Sequence, residues 1–215
     1  MEVLTDNAGL FWQGFMGTVR LMCLSTLLAF ALGIVLVSFR ISPVPLCRGI
    51  GATVVTVLCN TPLTVLFFAV TLGLPMLGLT GVSYFTLAVL VMGGYASAFV
   101  CEALRSGVNT VEIGQAEAAR SLGMSTLQAA VLIVFPQSGR AAIPPLGTVV
   151  ITLVKNSALA GGFSVYELFT TEKTLVERGY AVAVVFLWVT AAYLVLITVV
   201  STGFRFLERR LAVPR

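Results

Sequence analysis

Five stretches of this chain, near residues 15–39, 49–72, 84–104, 142–162 and 180–204, carry the roughly 17 to 25 apolar residues that cross a bilayer as helix. Lipid offers no partner to backbone N–H and C=O groups, so runs of this length close their hydrogen bonds internally as helices. The fold class that follows is an all-α integral membrane protein, read as one transmembrane domain over residues 1–215. Charged residues make up 10% of the chain, against about 25% in a soluble domain, which excludes the soluble classes. The first run follows Glu2 and Asp6 rather than basic residues and is too long for a cleaved signal, so it is expected to remain as a helix.

An odd number of spans puts the termini on opposite sides. With the N-terminus outside, the inner side receives Arg40, Arg48, Arg105, Arg120, Arg140, Arg205, Arg209, Arg210 and Arg215, and the outer side only Lys173 and Arg178. That bias predicts the N-terminus outside and the C-terminus inside. It also accounts for the net charge of +4 without a nucleic-acid partner. The chain has no histidine, and Cys23, Cys47, Cys59 and Cys101 lack metal-ligand spacing, so no metal site is expected. No GxxxxGK[ST] loop is present either, so neither ATP nor Mg should bind this chain.

The one long polar interval runs from Asn109 to Pro136, bounded by two membrane-length segments. Glu112, Glu117 and Arg120 sit there among alanines, a composition that forms helix without an apolar face for lipid. Asn109 with Glu112 predicts a capping box, and Gly123 a left-handed helix end. Ser125 with Gln128 repeats the start signal, and Pro136 is expected to close the second short helix. The interval thus reads as two short helices bent at Gly123, spanning a connection over residues 105–140 that suits a partner.

Within the spans, polar residues mark candidate sites. Arg20 lies about one membrane thickness from Ser38 and reaches the outer headgroups. Asn60, Thr61 and Thr64 flank Pro62 roughly 17 Å from the inner surface, where a missing backbone donor either faces a wet cavity or serves a packing kink. Gly93, Gly94, Ala96, Ser97 and Ala98 supply a small surface for another helix. Glu102 and Arg105, three residues apart near the inner interface, form an ion pair or a candidate gate. Pro144 and Pro145 are expected to open the fourth span. Lys155, Asn156 and Ser157 follow some 20 Å deeper, where the ammonium either serves function or snorkels outward. The levels of the Asn60 and Lys155 stretches overlap, so together they predict one polar substrate path. An outer amphipathic helix is expected within Val165–Val176, and the fifth span ends in a basic anchor over residues 205–215.

The run Glu117-Ala118-Ala119, Gly123 and Ile133-Val134-Phe135-Pro136 resembles the EAA loop of permease subunits in binding-protein-dependent ABC importers. More narrowly, Gly114-Gln115-Ala116-Glu117-Ala118-Ala119-Arg120-Ser121-Leu122-Gly123, Pro136-Gln137, Pro144-Pro145-Leu146-Gly147, Lys155-Asn156-Ser157 and Asn60-Thr61-Pro62-Leu63 are similar to the polar amino-acid branch, most of all to glutamate-type permeases of actinobacteria. The likeness extends from about Thr18 to Glu208. It implies a type I importer permease of the bacterial cell membrane, half of a translocation path for glutamate or a related amino acid. It also implies a second permease subunit in a heterodimer, an ABC ATPase dimer that binds ATP and Mg, and an extracellular solute-binding protein, with membrane lipid around the bundle. Gly114, Gln115, Glu117, Ala118, Ala119 and Gly123 would then couple to the ATPase. Two departures are Phe135 for the family's Leu, and Cys59 where an Arg commonly precedes Asn-Thr-Pro, which bears on which subunit holds the substrate. The competing classes are a passive channel or scaffold and a membrane enzyme; the enzyme lacks a His or paired Asp within the spans.

Overall fold

In the computed structural model, residues 2–79 and 81–211 are described, and every regular element among them is helical. A short α1 (Glu2–Asp6) leads into α2 (Ala8–Arg40), whose 33 residues reach about 50 Å, well beyond a hydrocarbon core. The second apolar run is two helices, α3 (Pro45–Asn60) and α4 (Leu63–Phe68), the latter continuing through a π-helical stretch (Ala69–Gly73) into α5 (Leu74–Met76). They meet at an angle of 100°. Pro62 sets this bend, since it and Thr61 are extended and neither continues the helix. Counting depth along a straight rod therefore fails beyond Asn60. Among the described residues, four helices are long and apolar enough to cross a membrane, and five segments are if the bent pair is one span.

The third span, α6 (Tyr84–Asn109), is the centre of the bundle. Leu87, Ala88, Val91, Met92, Ala96 and Val100 are buried along it, between α2 on one side and α9 (Phe135–Gly161) on the other. The small residues act as expected at Gly93, where a Cβ would meet Leu28, while Gly94 faces open space. Gly33 makes a similar approach to Val100.

α6 also runs a full turn beyond its expected end, so Asn109 is its last residue and caps nothing. The extra turn is held by Gly107, where a Cβ would collide with the Ser138 carbonyl and press on Ala142 of α9. A backbone carbonyl cannot rotate away. Gly107→Val is therefore expected to cost about 1–3 kcal/mol, read as a lower Tm of the detergent-purified protein.

The polar interval holds α7 (Ile113–Ser121) and α8 (Thr126–Ala129). α7 starts after an extended Glu112 that gives no side-chain cap. Pro136 does not close the second helix. α8 passes through a π-helical turn (Ala130–Val134) into α9, giving one helix from Thr126 to Gly161. The widened turn lies just before Pro136, where the ring would otherwise press on the Leu132 carbonyl. Pro144 and Pro145 likewise lie inside α9 rather than at its start, which leaves the Arg140 and Ala141 carbonyls without their usual amide donors.

Beyond α9, α10 (Leu168–Glu177) precedes α11 (Val182–Leu211). α10 does not merely lie on the surface. Leu168 and Leu175 pack with Phe11, Val185 and Val189 in a satellite core. α11 packs on α9, with Gly147 against Phe204, and shows Phe186, Leu187, Leu194, Val195 and Val199 outward as a lipid-facing span would. Its last turns carry Arg205, Arg209 and Arg210, with Arg210 over the Phe206 ring at 4.8 Å. Arg215, expected in the basic anchor, lies outside the described residues.

Candidate functional site

The elbow between α7 and α8 is built by local chemistry. Gly123 has φ of +87°, its amide donates to the Arg120 carbonyl, and the Met124 amide donates to that of Ala119. This is a Schellman closure, which satisfies the last carbonyls of α7 while turning the chain. Ser125 then starts α8 with a complete capping box: its Oγ accepts from the Gln128 amide at 3.2 Å, and its own amide donates to Gln128 Oε1 at 2.8 Å.

Gly114, Gln115, Glu117, Ala118 and Gly123 are exposed, and Ala119 is buried at the base. Gln137 Nε2 donates to Gln115 Oε1 at 2.6 Å, which braces α7 against α9. Ile113, Leu122 and Leu127 are 77%, 86% and 72% exposed. Three bare apolar side chains on a polar elbow form a surface that lacks its cover within this chain. Sequence reading passed over them because the interval as a whole is polar.

A second site is a groove of about 270 Å³ between α6 and α9. Thr148, Thr152 and Asn156 line one wall, and Tyr95 with Phe99 the other, their ring centroids 5.1 Å apart. The polar residues recur every four positions, so one helical face presents all three. The Thr148 and Thr152 hydroxyls donate to the Pro144 and Thr148 carbonyls, at 3.3 and 2.8 Å. The Asn156 side-chain carboxamide has no hydrogen-bond partner among the described residues.

Of the residues expected along a substrate path, only Asn156 lines this groove. Lys155 is exposed on a neighbouring strip of α9 and makes no ion pair among the described residues. Ser157 is fully buried, its hydroxyl donating to Val154 O at 2.8 Å. Asn60 and Thr61 turn back on α3, donating to the Thr56 and Val57 carbonyls, each at 2.7 Å. Both side chains thus add hydrogen bonds to the last turn of α3, just before the break at Pro62. Thr64 is exposed on α4. Cys59, at the end of α3, packs with Ala98 and Cys101 of α6, so the bend abuts the groove's supporting helix. The groove between α6 and α9 does not bring the Asn60 and Lys155 stretches together.

Glu102 and Arg105 form the expected ion pair, with Arg105 Nε and NH2 at 3.0 and 2.8 Å from Glu102 Oε2. Arg40 of α2 adds a third charge, its NH2 3.1 Å from Glu102 Oε1. The cluster thus joins two spans and carries an excess of one positive charge.

Near the start of α2, Arg20 lines a groove with Trp12, Gln13, Met16, Phe85 and Tyr166. Deeper in the same end of the bundle lies Glu167, expected at a surface but 0% exposed. Its Oε2 accepts from the Tyr193 hydroxyl at 2.6 Å and its Oε1 from the Thr170 amide at 2.9 Å. Burial raises its pKa, opposed by the hydrogen bonds from Tyr193 and from the Phe169 and Thr170 amides.

Lys155→Met and Asn156→Leu separate two neighbouring polar residues of α9, Lys155 exposed and Asn156 half-buried. Only Asn156 faces the groove, so its substitution is expected to reduce transport about tenfold, and that of Lys155 less than threefold, in radiolabelled uptake.

The family model described as binding-protein-dependent transport system inner membrane component matches residues 25–213. A glutamate transport system permease protein, GluC, of Corynebacterium efficiens is 38% identical over 95% of this chain and 93% of that protein. A probable glutamine ABC transporter permease protein, GlnM, of Bacillus subtilis is 33% identical over 98% and 97%. A crystal structure of an amino acid ABC transporter with histidines superposes with a TM-score of 0.91 at 26% identity, covering 96% of each chain. An inward-facing MetNI methionine ABC transporter shares the fold, with a TM-score of 0.79 at 19% identity.

Proposed function

The chain belongs to the family of binding-protein-dependent transport system inner membrane components, and on that premise we propose that it carries glutamate or a related polar amino acid inward as half of an ATP-driven pathway. It is a multi-pass permease subunit of an amino-acid ABC importer. An ABC ATPase dimer supplies the ATP and Mg, this chain binding neither, and an extracellular solute-binding protein delivers the substrate. A second, non-identical permease completes the path in the bacterial cell membrane, with the N-terminus outside and the C-terminus inside.

The observation that carries this reading is the uncovered elbow: apolar Ile113, Leu122 and Leu127 flank exposed Glu117 and Ala118 where short α7 turns into the start of the long helix from Thr126. Small side chains at exposed Gly114 and Ala118 let α7 seat closely in a cleft of the ATPase, where Glu117 meets a basic rim, while Ala119 packs beneath them within this chain. Gln115, held by Gln137, transmits the motion to α9. Thr148, Thr152 and Asn156 then face the partner permease, whose own wall closes the groove. Asn60, Thr61, Thr64, Lys155 and Ser157 border this path from the bend and the remaining faces of α9. Arg40, Glu102 and Arg105 form its inner gate.

The test is reconstitution of the four components in proteoliposomes with a cysteine at Glu117. Crosslinking to the ATPase, with uptake that stops when hydrolysis is blocked, is the expected result. Uptake that persists without ATP hydrolysis would identify a passive channel instead. Competition with glutamate, glutamine, arginine and histidine identifies the cargo.

A further inference from the structure

Glu167 is a longer and more costly residue than a helix cap requires. An aspartate or serine in contact with water would satisfy the first amides of α10. Here the carboxylate is fully buried and no cation pairs with it among the described residues. Burial without a countercharge is tolerated only where every lone pair finds a donor. The donors come from two elements: Tyr193 on α11 and the backbone of Thr170 on α10.

Two more elements close around them. The hydroxyls of Ser157 on α9 and Thr18 on α2 lie against the Tyr193 oxygen. Thr18 also accepts from the Leu168 amide at 3.2 Å. On α9, Gly161 leaves the space that Oε1 fills, and a Cβ there would collide with it. Four helices thus meet here, α10 and α11 through the carboxylate and the phenol, α9 by the close approach at Gly161, and α2 through Thr18. Ser157 lies next to Asn156 of the groove, while Lys173, Glu177 and Arg178 of α10 point outward as exposed charges.

We propose that Glu167 is a positioning residue that locks α10, through Tyr193, to the groove-bearing end of α9, so that docking of the solute-binding protein on α10 is felt at Ser157 and Asn156. The proposal rests on the importer reading given above. The connection is all-or-none rather than graded, because moving α10 by one hydrogen-bond length strips the Tyr193 hydroxyl, the donor from another helix, from a buried carboxylate. A docked protein that shifts α10 therefore displaces α11 and α9 with it, and the signal reaches the path without passing through the lipid-facing surface.

The test uses the complete complex in proteoliposomes, with ATP hydrolysis measured with and without substrate-loaded binding protein. Glu167→Ala and Tyr193→Phe are expected to lower the stimulated rate at least fivefold while the basal rate stays within twofold of wild type. Glu167→Gln, which keeps the shape and can bond both partners, is expected to restore at least half of the stimulation. Tyr193→Phe removes a single hydroxyl, so it tests the lock even where Glu167→Ala does not assemble. Stimulation retained in both disruptive variants overturns the proposal, and so does a parallel fall in basal and stimulated rates, which marks plain structural support. Failure of Glu167→Gln to rescue also overturns it, since charge rather than geometry would then be at work. A wild-type complex that the binding protein does not stimulate overturns the importer reading, and the lock with it.

Discussion

Replacing Gly123 with valine is expected to abolish ATP-driven uptake, by at least about thirtyfold, in protein that still inserts and accumulates normally. The residue sits at φ of +87° with open space around it, so no contact forbids a side chain. The conflict is in the backbone alone. A left-handed residue with a Cβ costs about 1–2 kcal/mol, and a β-branched one more. The chain relieves that cost by leaving the Schellman turn, which frees the Ala119 and Arg120 carbonyls and swings α7 relative to α8. Since Ile113 and Leu122 are displayed from α7 and Leu127 from α8, their common surface is lost. Gly123→Asn, whose side chain tolerates this region, is expected to retain most of the uptake. Equal activity in the valine and asparagine variants would refute the argument.

Filling the groove is expected to have an effect of similar size. Thr152 lies between Thr148 and Asn156 on the polar wall, opposite Tyr95 and Phe99, in a space of about 270 Å³. An indole there occupies much of that space and covers the neighbouring polar groups. Thr152→Trp should therefore reduce uptake more than twentyfold while binding-protein-stimulated ATP hydrolysis persists, because the elbow and the Glu167 contacts are untouched. Thr152→Ser, which keeps the hydroxyl and frees volume, should transport within threefold of wild type. Undiminished uptake by the tryptophan variant would place the path elsewhere.

The sequence was most legible where structure is decided within a few residues. Apolar runs located the spans, and the Gly123 turn and the Ser125–Gln128 box formed as their local chemistry demands. It was least legible where packing decides. Asn109 has the chemistry of a cap, but contact between Gly107 and Ser138 extends α6 through it. Pro136, Pro144 and Pro145 read as helix boundaries, yet a widened turn and the surrounding spans keep the helix continuous. Glu167 looked like any surface charge, since nothing adjacent in sequence announces Tyr193. Arg40 was missed as a partner of Glu102 for the same reason. The groove, by contrast, left a usable trace: Thr148, Thr152 and Asn156 recur at one-turn spacing, a pattern obscured by attention to the more unusual Lys155.

The unbroken helix from Thr126 to Gly161 also has mechanical consequences. It behaves as a connecting shaft whose compliance is unevenly distributed: all three of its prolines fall between Pro136 and Pro145, and the stretch from Leu146 to Gly161 has none. A thrust entering at the elbow would dissipate as buckling in the proline-bearing segment if that segment were unsupported. Gly107, pressed against Ser138 and Ala142, is the bearing that prevents this and converts the push into a tilt of the proline-free segment.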